Sequence, residues 1–258
     1  MAIEVFNRYE KKYFVTEEQL NRVLDVIESR MEPDKHNINR STYTIQNIYF
    51  DTEDNQLIRN SLEKPLYKEK IRLRTYAGAG KDGRAFLEIK KKFNGLVNKR
   101  RTRMEVAEAV NFVENGGKIL YRDYMNPQVV KELSYMVSRQ KLMPKVMIAY
   151  DRLAYFEKGN PDLRISLDTN IRTRRDELSM EAGTHGKLLL PRNIWLMEIK
   201  TAKAMPLWLT ELLSEEKIRK VSFSKYGTEY KNYLKQQANE AALSNEKERV
   251  ETREVKYA

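Results

Sequence analysis

Apolar and charged residues alternate with a period of two in one segment after another of this 258-residue chain. The run Ile71-Arg72-Leu73-Arg74 shows the pattern most plainly, and Leu87-Glu88-Ile89-Lys90 repeats it. Successive side chains of a β-strand point to opposite faces of a sheet, so each run has one apolar face and one charged face. The pattern predicts a sheet that buries its apolar face against a core.

Eight strands are predicted in total, over residues 5–15, 42–51, 68–76, 84–93, 97–106, 145–156, 163–172 and 189–201. The glycine-rich run 77–83 and the dipeptide Asn94-Gly95 are hairpin signals, so the sheet should be largely antiparallel. A first helix is expected after Thr16, which has Gln19 three residues later as in a capping box. Further helices are predicted at about 107–115, 126–140, 206–216 and 225–242.

The charged faces of these strands are mostly cationic. By strand phase they hold twelve cations: Arg8, Lys12, Arg72, Arg74, Lys90, Lys92, Lys99, Arg101, Arg103, Arg152, Arg164 and Lys200. The same faces hold four carboxylates: Glu10, Glu88, Asp168 and Glu198. The excess of cations on these faces accounts for most of the net charge of +11.

An open sheet with its charged face in water is one interpretation, and the alternation alone does not decide against it. Two arguments favour closure. Like charges about 4 Å apart repel by roughly 4 kcal/mol at an effective dielectric near 20, so a face this cationic needs an anion. Sheets of about eight strands also tend to curl and to remove their edges. We therefore predict an α+β fold, a closed and largely antiparallel eight-stranded β-barrel, or tunnel, with helices packed on its outside.

Composition excludes several classes of site and segment. The chain has no cysteine and only two histidines, His36 and His185, so a bound metal would need oxygen ligands. Both histidines are expected in surface loops, and Trp195 and Trp208 are expected to be core or helix-packing residues and not base-stacking platforms. No run approaches the ~18 apolar residues of a membrane helix, and residues 1–10 lack a secretory signal. A cytoplasmic protein is expected.

Several motifs occur in a characteristic order. They are Arg8-x-Glu10-x-Lys12, Arg72-x-Arg74, Glu88-x-Lys90, Tyr150-x-Arg152, Arg164-x-x-x-Asp168, Glu198-x-Lys200 and Ser224-Lys225-Tyr226. In this order the chain resembles the triphosphate tunnel metalloenzymes (the CYTH superfamily), and among them the VTC domain, a polyphosphate polymerase module. The resemblance places a tunnel domain at 1–243 and a charged C-terminal tail at 244–258. Arg8 stands where the hydrolase branch has the first glutamate of Glu-x-Glu-x-Lys, which disfavours hydrolysis.

The resemblance implies that the γ-phosphate of ATP is transferred to a growing inorganic polyphosphate chain with a divalent metal, Mn²⁺ or Mg²⁺. The implied catalytic residues are Lys12, Arg72, Arg74, Lys90, Arg152, Arg164, Lys200 and Lys225. The implied substrate-binding residues are Arg8, Lys92, Lys99, Arg101, Arg103, Tyr150 and Ser224, with Lys99, Arg101 and Arg103 along the product exit. Glu198 and Glu10 are the expected metal ligands, whereas Glu88 and Asp168 are expected to orient neighbouring cations.

Two other functions stay open at this point. One is a tri- or polyphosphate hydrolase that uses the same tunnel. The other is a non-catalytic polyanion- or RNA-binding module, which the basic charge would permit. No RNA-recognition signature and no aromatic cluster at strand spacing is evident, so no specific nucleic-acid partner is expected. A separate membrane protein is a candidate partner that could receive the product.

Overall fold

The structure is a computed structural model that describes residues 5–254 except 77–82, 95 and 203, and no side chain of residues 5–8, 38, 161 or 246–254. The strands of this described part are β1 (Val5–Thr16), β2 (Met31–Pro33), β3 (Tyr43–Asp51), β4 (Tyr67–Tyr76), β5 (Arg84–Phe93), β6 (Leu96–Glu105), β7 (Met143–Glu157), β8 (Asn160–Arg174), β9 (Lys187–Leu188), β10 (Ile194–Thr201) and β11 (Lys220–Val221). The α-helices are α1 (Glu17–Arg30), α2 (Gln56–Leu62), α3 (Val106–Glu114), α4 (Pro127–Ser138), α5 (Leu207–Glu215) and α6 (Lys225–Glu254).

The strands form one antiparallel sheet. Its neighbours follow the order β2-β7-β3-β4-β5-β6-β1-β10-β8-β9, with β11 beside β1 and a further pairing of β8 with β7. Residues 77–82 of the first predicted hairpin turn and Gly95 of the second lie outside the described residues, but β4, β5 and β6 pair in sequence as expected. The chain thus has an α+β fold built on a curled antiparallel sheet. All eight predicted strands are present, and the helix α2 was not predicted.

The apolar face of the sheet packs against helices, as the alternation predicts. Strands β4, β5 and β6 contribute buried residues such as Leu73 and Leu87 to a core that α3 and α4 cover. Strands β1, β7, β8 and β10 form a second core with α1 and α5. Helix α1 begins at the predicted capping box of Thr16 and Gln19, and its stripe of Leu20, Val23, Leu24 and Ile27 is buried.

The opposite face, called the inner face here, is filled at one end by a third core that includes the start of α6. Asp51, at the end of β3, anchors this end. Its fully buried carboxylate accepts hydrogen bonds from the backbone of Leu57 (2.8 Å) and Ile58 (3.0 Å) and from Tyr226 Oη (2.9 Å). Asp51 therefore fixes both α2 and the first turn of α6, and with it the adjacent Lys225.

Helix α6 continues past Leu243 to Glu254, so the predicted boundary between residues 243 and 244 falls inside a helix. Residues 255–258 of the predicted tail lie outside the described residues. Within the described part of the chain, no helix combines the length and the apolar character needed to cross a membrane.

Candidate active site

The inner face gathers most of the predicted site residues into one group, which we call the basic cluster. It consists of ten cations and four carboxylates, namely Lys12, Lys70, Arg72, Arg74, Lys90, Lys99, Arg152, Arg164, Lys200 and Lys225 with Glu10, Glu88, Asp168 and Glu198. Seven strands and the start of α6 supply these side chains. Cations clearly outnumber carboxylates, so the cluster retains an excess of positive charge.

Glu88 on β5 is the anion at one side of the basic cluster. It is 1% exposed and contacts Arg72 Nη2 at 2.8 Å and Lys99 Nζ at 2.6 Å. Burial opposes ionisation, but Arg74, Lys99 and Arg72 outweigh it and hold the pKa of Glu88 well below its usual range. Glu88 therefore orients these cations, as predicted, and stays ionised itself.

Asp168 on β8 has the same role beside β7 and α6. Arg152 donates to its two oxygens at 2.6 and 2.8 Å in a bidentate pair, and Lys225 Nζ donates at 2.5 Å. Burial opposes ionisation of Asp168, but Arg152 and Lys225 lower its pKa. One fully buried carboxylate thus places an arginine and a lysine side by side.

Glu198 and Glu10, the predicted metal ligands, lie next to each other across the β1–β10 pair. Lys12 Nζ is 3.2 Å from an oxygen of each carboxylate. Glu198 also contacts Lys225 at 3.2 Å and Lys200 at 3.0 Å. Despite burial, these lysines hold the pKa of Glu198 well below its ordinary value. The two carboxylates therefore face one shared cation position.

Arg74 on β4 has mainly neutral partners. Its Nε donates to Asn47 Oδ1 at 2.9 Å and its Nη2 donates to Tyr150 Oη at 2.9 Å, while Glu88 is 3.9 Å away. The predicted substrate-binding residue Tyr150 is buried and also lies under the cations of Arg152 and Lys225. These contacts hold the Arg74 guanidinium in place while leaving most of its charge available to an anion.

Lys70 is a member of the basic cluster that the sequence analysis missed. Its Nζ is 3.4 Å from Ser224 Oγ and lies over the ring of Tyr226. Burial and then Lys90, Lys68 and Lys12 lower the pKa of Lys70 to about 7. The signal was present, because Lys70 has the same strand phase as Arg72 and Arg74.

Lys70 predicts a pH dependence that can be measured without turnover. A bound polyanion raises the pKa of this lysine and draws a proton onto it above about pH 7. The Lys70→Met variant is therefore expected to bind tripolyphosphate with a flatter pH profile than the wild type between about pH 6 and pH 9, and with up to about one proton less taken up. Titration calorimetry in two buffers of different ionisation enthalpy measures both quantities.

The control for this experiment is Lys91→Met, on the outer face of β5, where Lys91 contacts Glu132. This variant should keep the wild-type profile. Lys70 also affects the stability of the free protein. Its ordinary pKa of 10.5 applies in the unfolded chain, which therefore binds the proton of Lys70 more tightly than the folded protein does. The free protein should gain stability as the pH rises from about 7 towards 10.5. Equal proton uptake by wild type and Lys70→Met would contradict the assignment.

The remaining predicted residues lie around the basic cluster or outside it. Arg101 lies over Phe86 with its Cζ 4.6 Å from the ring centre, whereas Arg103 lies over Tyr124. The product exit along Lys99, Arg101 and Arg103 stays a prediction. Lys92 is opposite Lys68 at the end of β5. Ser224 Oγ accepts a hydrogen bond from Gly227 N at 3.2 Å. The side chain of Arg8 lies outside the described residues.

The residues predicted to be structural are placed as expected. His36 and His185 are exposed. Trp195 and Trp208 pack against the second core. No aromatic cluster occurs at strand spacing in the sequence, but the structure brings Tyr43, Tyr76 and Phe86 together from three different strands. Their separation in sequence hides the cluster from a reading of single strands.

Comparison with known proteins adds a family and a fold. Residues 7–234 match the family model described as the VTC domain. Vacuolar transporter chaperone complex subunit 4 of Schizosaccharomyces pombe is 27% identical over 164 residues, which cover 57% of this chain and 23% of that protein. The match therefore spans less than a quarter of that relative.

Two solved structures share the fold. A proposed adenylate cyclase of Bacillus halodurans has a TM-score of 0.53 at 14% identity, covering 86% of this chain and 96% of its own. A proposed adenylyl cyclase of Hippeastrum, described as having a dominant triphosphatase activity, has a TM-score of 0.50 at 15% identity, covering 87% and 93%. At these identities the likeness concerns the fold alone.

Proposed function

Because the chain belongs to the VTC-domain family, we propose that it is a polyphosphate polymerase, which transfers the γ-phosphate of ATP to the end of an inorganic polyphosphate chain. The observation that carries the proposal is the basic cluster, a mostly buried group with more cations than carboxylates on one face of the sheet. Such a group is stabilised by an extended polyanion and gains nothing from a neutral ligand.

In this proposal the eight long strands close into a tunnel. Strand β8 pairs with β10 along one edge and with β7 along the other, and β7 also pairs with β3. The pairing can therefore be followed from β7 through β3, β4, β5, β6, β1 and β10 to β8, and from β8 back to β7. The basic cluster would line the interior, with the start of α6 at one end.

Phosphoryl transfer needs positioning and charge neutralisation more than covalent chemistry by the protein. The guanidinium groups of Arg72, Arg74 and Arg152 would bind the oxygens of the triphosphate in a fixed orientation. The acceptor is a terminal phosphate oxygen, which attacks the γ-phosphorus in line. The bond from that phosphorus to the β–γ bridging oxygen breaks, and ADP leaves with its charge balanced by lysines such as Lys12 and Lys225.

A divalent metal fits the cluster by ligand type. Glu198 and Glu10 offer hard oxygen donors, and both contact Lys12 Nζ, which lies at the cation position between them. In the described part of the chain no group of three acidic or histidine side chains suited to a metal occurs. Mg²⁺ and Mn²⁺ often take one or two carboxylates and complete their shell with phosphate oxygens and water. Glu198 and Glu10 would hold the ion, which when bound offsets charge on the phosphates.

The low basicity of the carboxylates in the basic cluster favours transfer to a phosphate acceptor over hydrolysis. A terminal phosphate oxygen is already anionic near neutral pH, so it requires no base, whereas an attacking water molecule does. The cations around Glu88, Asp168 and Glu198 lower the pKa of each despite burial. These carboxylates are therefore weak bases, which favours a phosphate acceptor over water.

A tri- or polyphosphate hydrolase at the same cluster is the alternative, and the triphosphatase activity named for the Hippeastrum protein of the same fold favours it. The two functions differ in their products. Purified protein with ATP and Mn²⁺ is expected to release ADP and form long polyphosphate that polyphosphatase degrades, and a chelator should stop the reaction. Formation of orthophosphate without polymer, together with ADP from ATP or with pyrophosphate from tripolyphosphate, would support the hydrolase instead.

Two neighbouring lysines on β5 provide the matched variants for this assay. Lys90 faces inward and contacts Glu10 at 3.5 Å, whereas Lys91 faces α4 and contacts Glu132. Lys90→Ala should lower the rate of polyphosphate synthesis about tenfold, because it removes one charged contact to phosphate. Lys91→Ala should leave the rate near that of the wild type.

A cytoplasmic location and a separate membrane partner for the product remain predictions.

A further inference from the structure

Aromatic side chains line one end of the inner face, and we call them the aromatic rim. Tyr43 on β3 and Tyr76 on β4 have ring centres 6.2 Å apart, and Tyr76 and Phe86 on β5 are 6.1 Å apart. Phe156 on β7 is opposite Arg164 of β8, and Arg164 connects it to the rim because its charge also acts on Tyr43. All four rings are partly exposed, so part of their surface can take up a ligand.

Two arginines already stack on this rim. The Cζ atom of Arg101 lies 4.6 Å from the ring centre of Phe86, and that of Arg164 lies 4.8 Å from the ring centre of Phe156. Aromatic rings and arginine planes are the surfaces on which nucleobases stack in proteins, since every base has a π-face. The rim therefore offers several stacking surfaces at one end of the inner face.

The rim is continuous with the basic cluster. Tyr76 is two residues beyond Arg74 on the same face of β4, and Tyr43 is opposite Arg152 in the β3–β7 pair. From Arg72 to Tyr76 the strand rises about 13 Å, comparable to the reach of an extended nucleoside triphosphate from its γ-phosphate to its base. A nucleotide with its terminal phosphates among Arg72, Arg74 and Arg152 would thus bring its base to the rim.

Polar groups at this end lack partners. Among the described side chains, Arg164 Nε and the neighbouring Ser166 Oγ are buried and have no hydrogen-bond partner. The Nη2 atom of Arg164 lies 3.6 Å from a carboxylate oxygen of Asp34, and burial and the nearby Arg152 lower the pKa of Arg164. A phosphate or ribose oxygen arriving between the rim and the cluster would satisfy these donors.

We infer that the aromatic rim of Tyr43, Tyr76, Phe86 and Phe156, with Arg101 and Arg164, is a stacking site for the base of a nucleoside triphosphate. The inference rests on the proposed function, because it takes a nucleotide as the phosphate donor. It assigns Arg101 to the nucleotide end instead of the product path. Stacking contacts the π-face of a base and not the hydrogen-bonding edge that distinguishes guanine from adenine. GTP should therefore bind about as tightly as ATP.

The test compares ligands with and without a base by titration calorimetry on the intact protein. Phe86→Leu removes one ring, and Phe93→Leu is the control, because Phe93 lies at the opposite end of the same strand and is 63% exposed. Phe86→Leu should weaken ATP and GTP binding about tenfold and leave tripolyphosphate binding unchanged. Phe93→Leu should change none of the three.

Tyr43→Leu is the second variant, and it keeps the test valid if Phe86→Leu unfolds the protein or displaces Arg101. It should also weaken the binding of ATP and GTP while leaving the binding of tripolyphosphate unchanged. Equal losses for ATP and tripolyphosphate in both variants, or no loss in either, would overturn the stacking site. Because binding is measured without turnover, the result is independent of the products. If the wild type binds ATP with the expected rim dependence but makes no polyphosphate, the proposed polymerase fails while the rim stands.

Discussion

The Arg74→Ala variant is expected to synthesise polyphosphate about 100- to 1,000-fold more slowly than the wild type at subsaturating ATP. Arg74 is 5% exposed and is held by Asn47 and Tyr150, which are neutral acceptors. Its guanidinium is therefore preorganised and most of its charge is available to the transferring phosphate. The measurement is kcat/KM for ADP release coupled to polymer formation.

Arg100→Ala is the matched control for this prediction. Arg100 also lies in the sheet, on β6, but it faces outward and contacts Glu132 of α4 at 3.1 Å. Its loss should change the rate less than about twofold, since a partly exposed ion pair contributes at most about 1 kcal/mol and lies away from the cluster. Arg74→Lys should not restore activity, because a lysine cannot reproduce the planar fork. Similar rates for Arg74→Ala and Arg100→Ala would contradict the role of the inner face.

The Asp168→Asn variant is expected to lose about 3–5 kcal/mol of unfolding free energy. Asp168 is fully buried and is the shared partner of Arg152 and Lys225, which are themselves buried. Removing its charge leaves two desolvated cations beside each other. Urea unfolding at neutral pH, analysed with a common slope, measures the loss.

Asp151→Asn is the control, because Asp151 also binds an arginine, Arg172, through two hydrogen bonds but is 15% exposed. It should cost about 1 kcal/mol. The charge of Asp168 also makes its contribution to stability depend on pH. The folded-state pKa of Asp168 is lowered, so its contribution is complete above its ordinary value of 3.8 and is lost as the pH falls below it. Asp168→Asn should therefore make the free energy of unfolding depend less on pH below about 3.8. A loss of unfolding free energy no larger than that of Asp151→Asn would contradict the role of Asp168 as the shared partner of Arg152 and Lys225.

Strand phase made the basic face predictable from the sequence. The alternation through Ile71 and Leu87 separated inward cations from outward apolar residues, and the outward residues are buried as expected. The same argument overestimated how many of these cations lack a carboxylate partner. A strand pattern gives the face of a residue but not its neighbours, so it could not show that the single carboxylate of Glu198 contacts three lysines, Lys12, Lys200 and Lys225.

Features that depend on contacts distant in sequence escaped prediction. Helix α2 has only seven residues, and the side chain of its N-cap residue Asn55 makes no capping bond. Its first amide groups donate instead to Asp51 and Thr52, which lie further back in the chain, so no periodic or local capping pattern predicts this helix. Asp51 fixes α6 through Tyr226, 175 residues away. The aromatic rim likewise draws single residues from separate strands. Such sites form only when the strands pair, because no local pattern determines which strands become neighbours.

A crystal structure of the protein with bound tripolyphosphate tests the central claim most directly. The inner face is expected to hold the chain of phosphates within hydrogen-bond distance of Arg74, Arg152 and Lys225, enclosed by strands β7, β3, β4, β5, β6, β1, β10 and β8. Tripolyphosphate bound to outward cations such as Lys91 and Arg100, with the basic cluster free of it, would contradict the account.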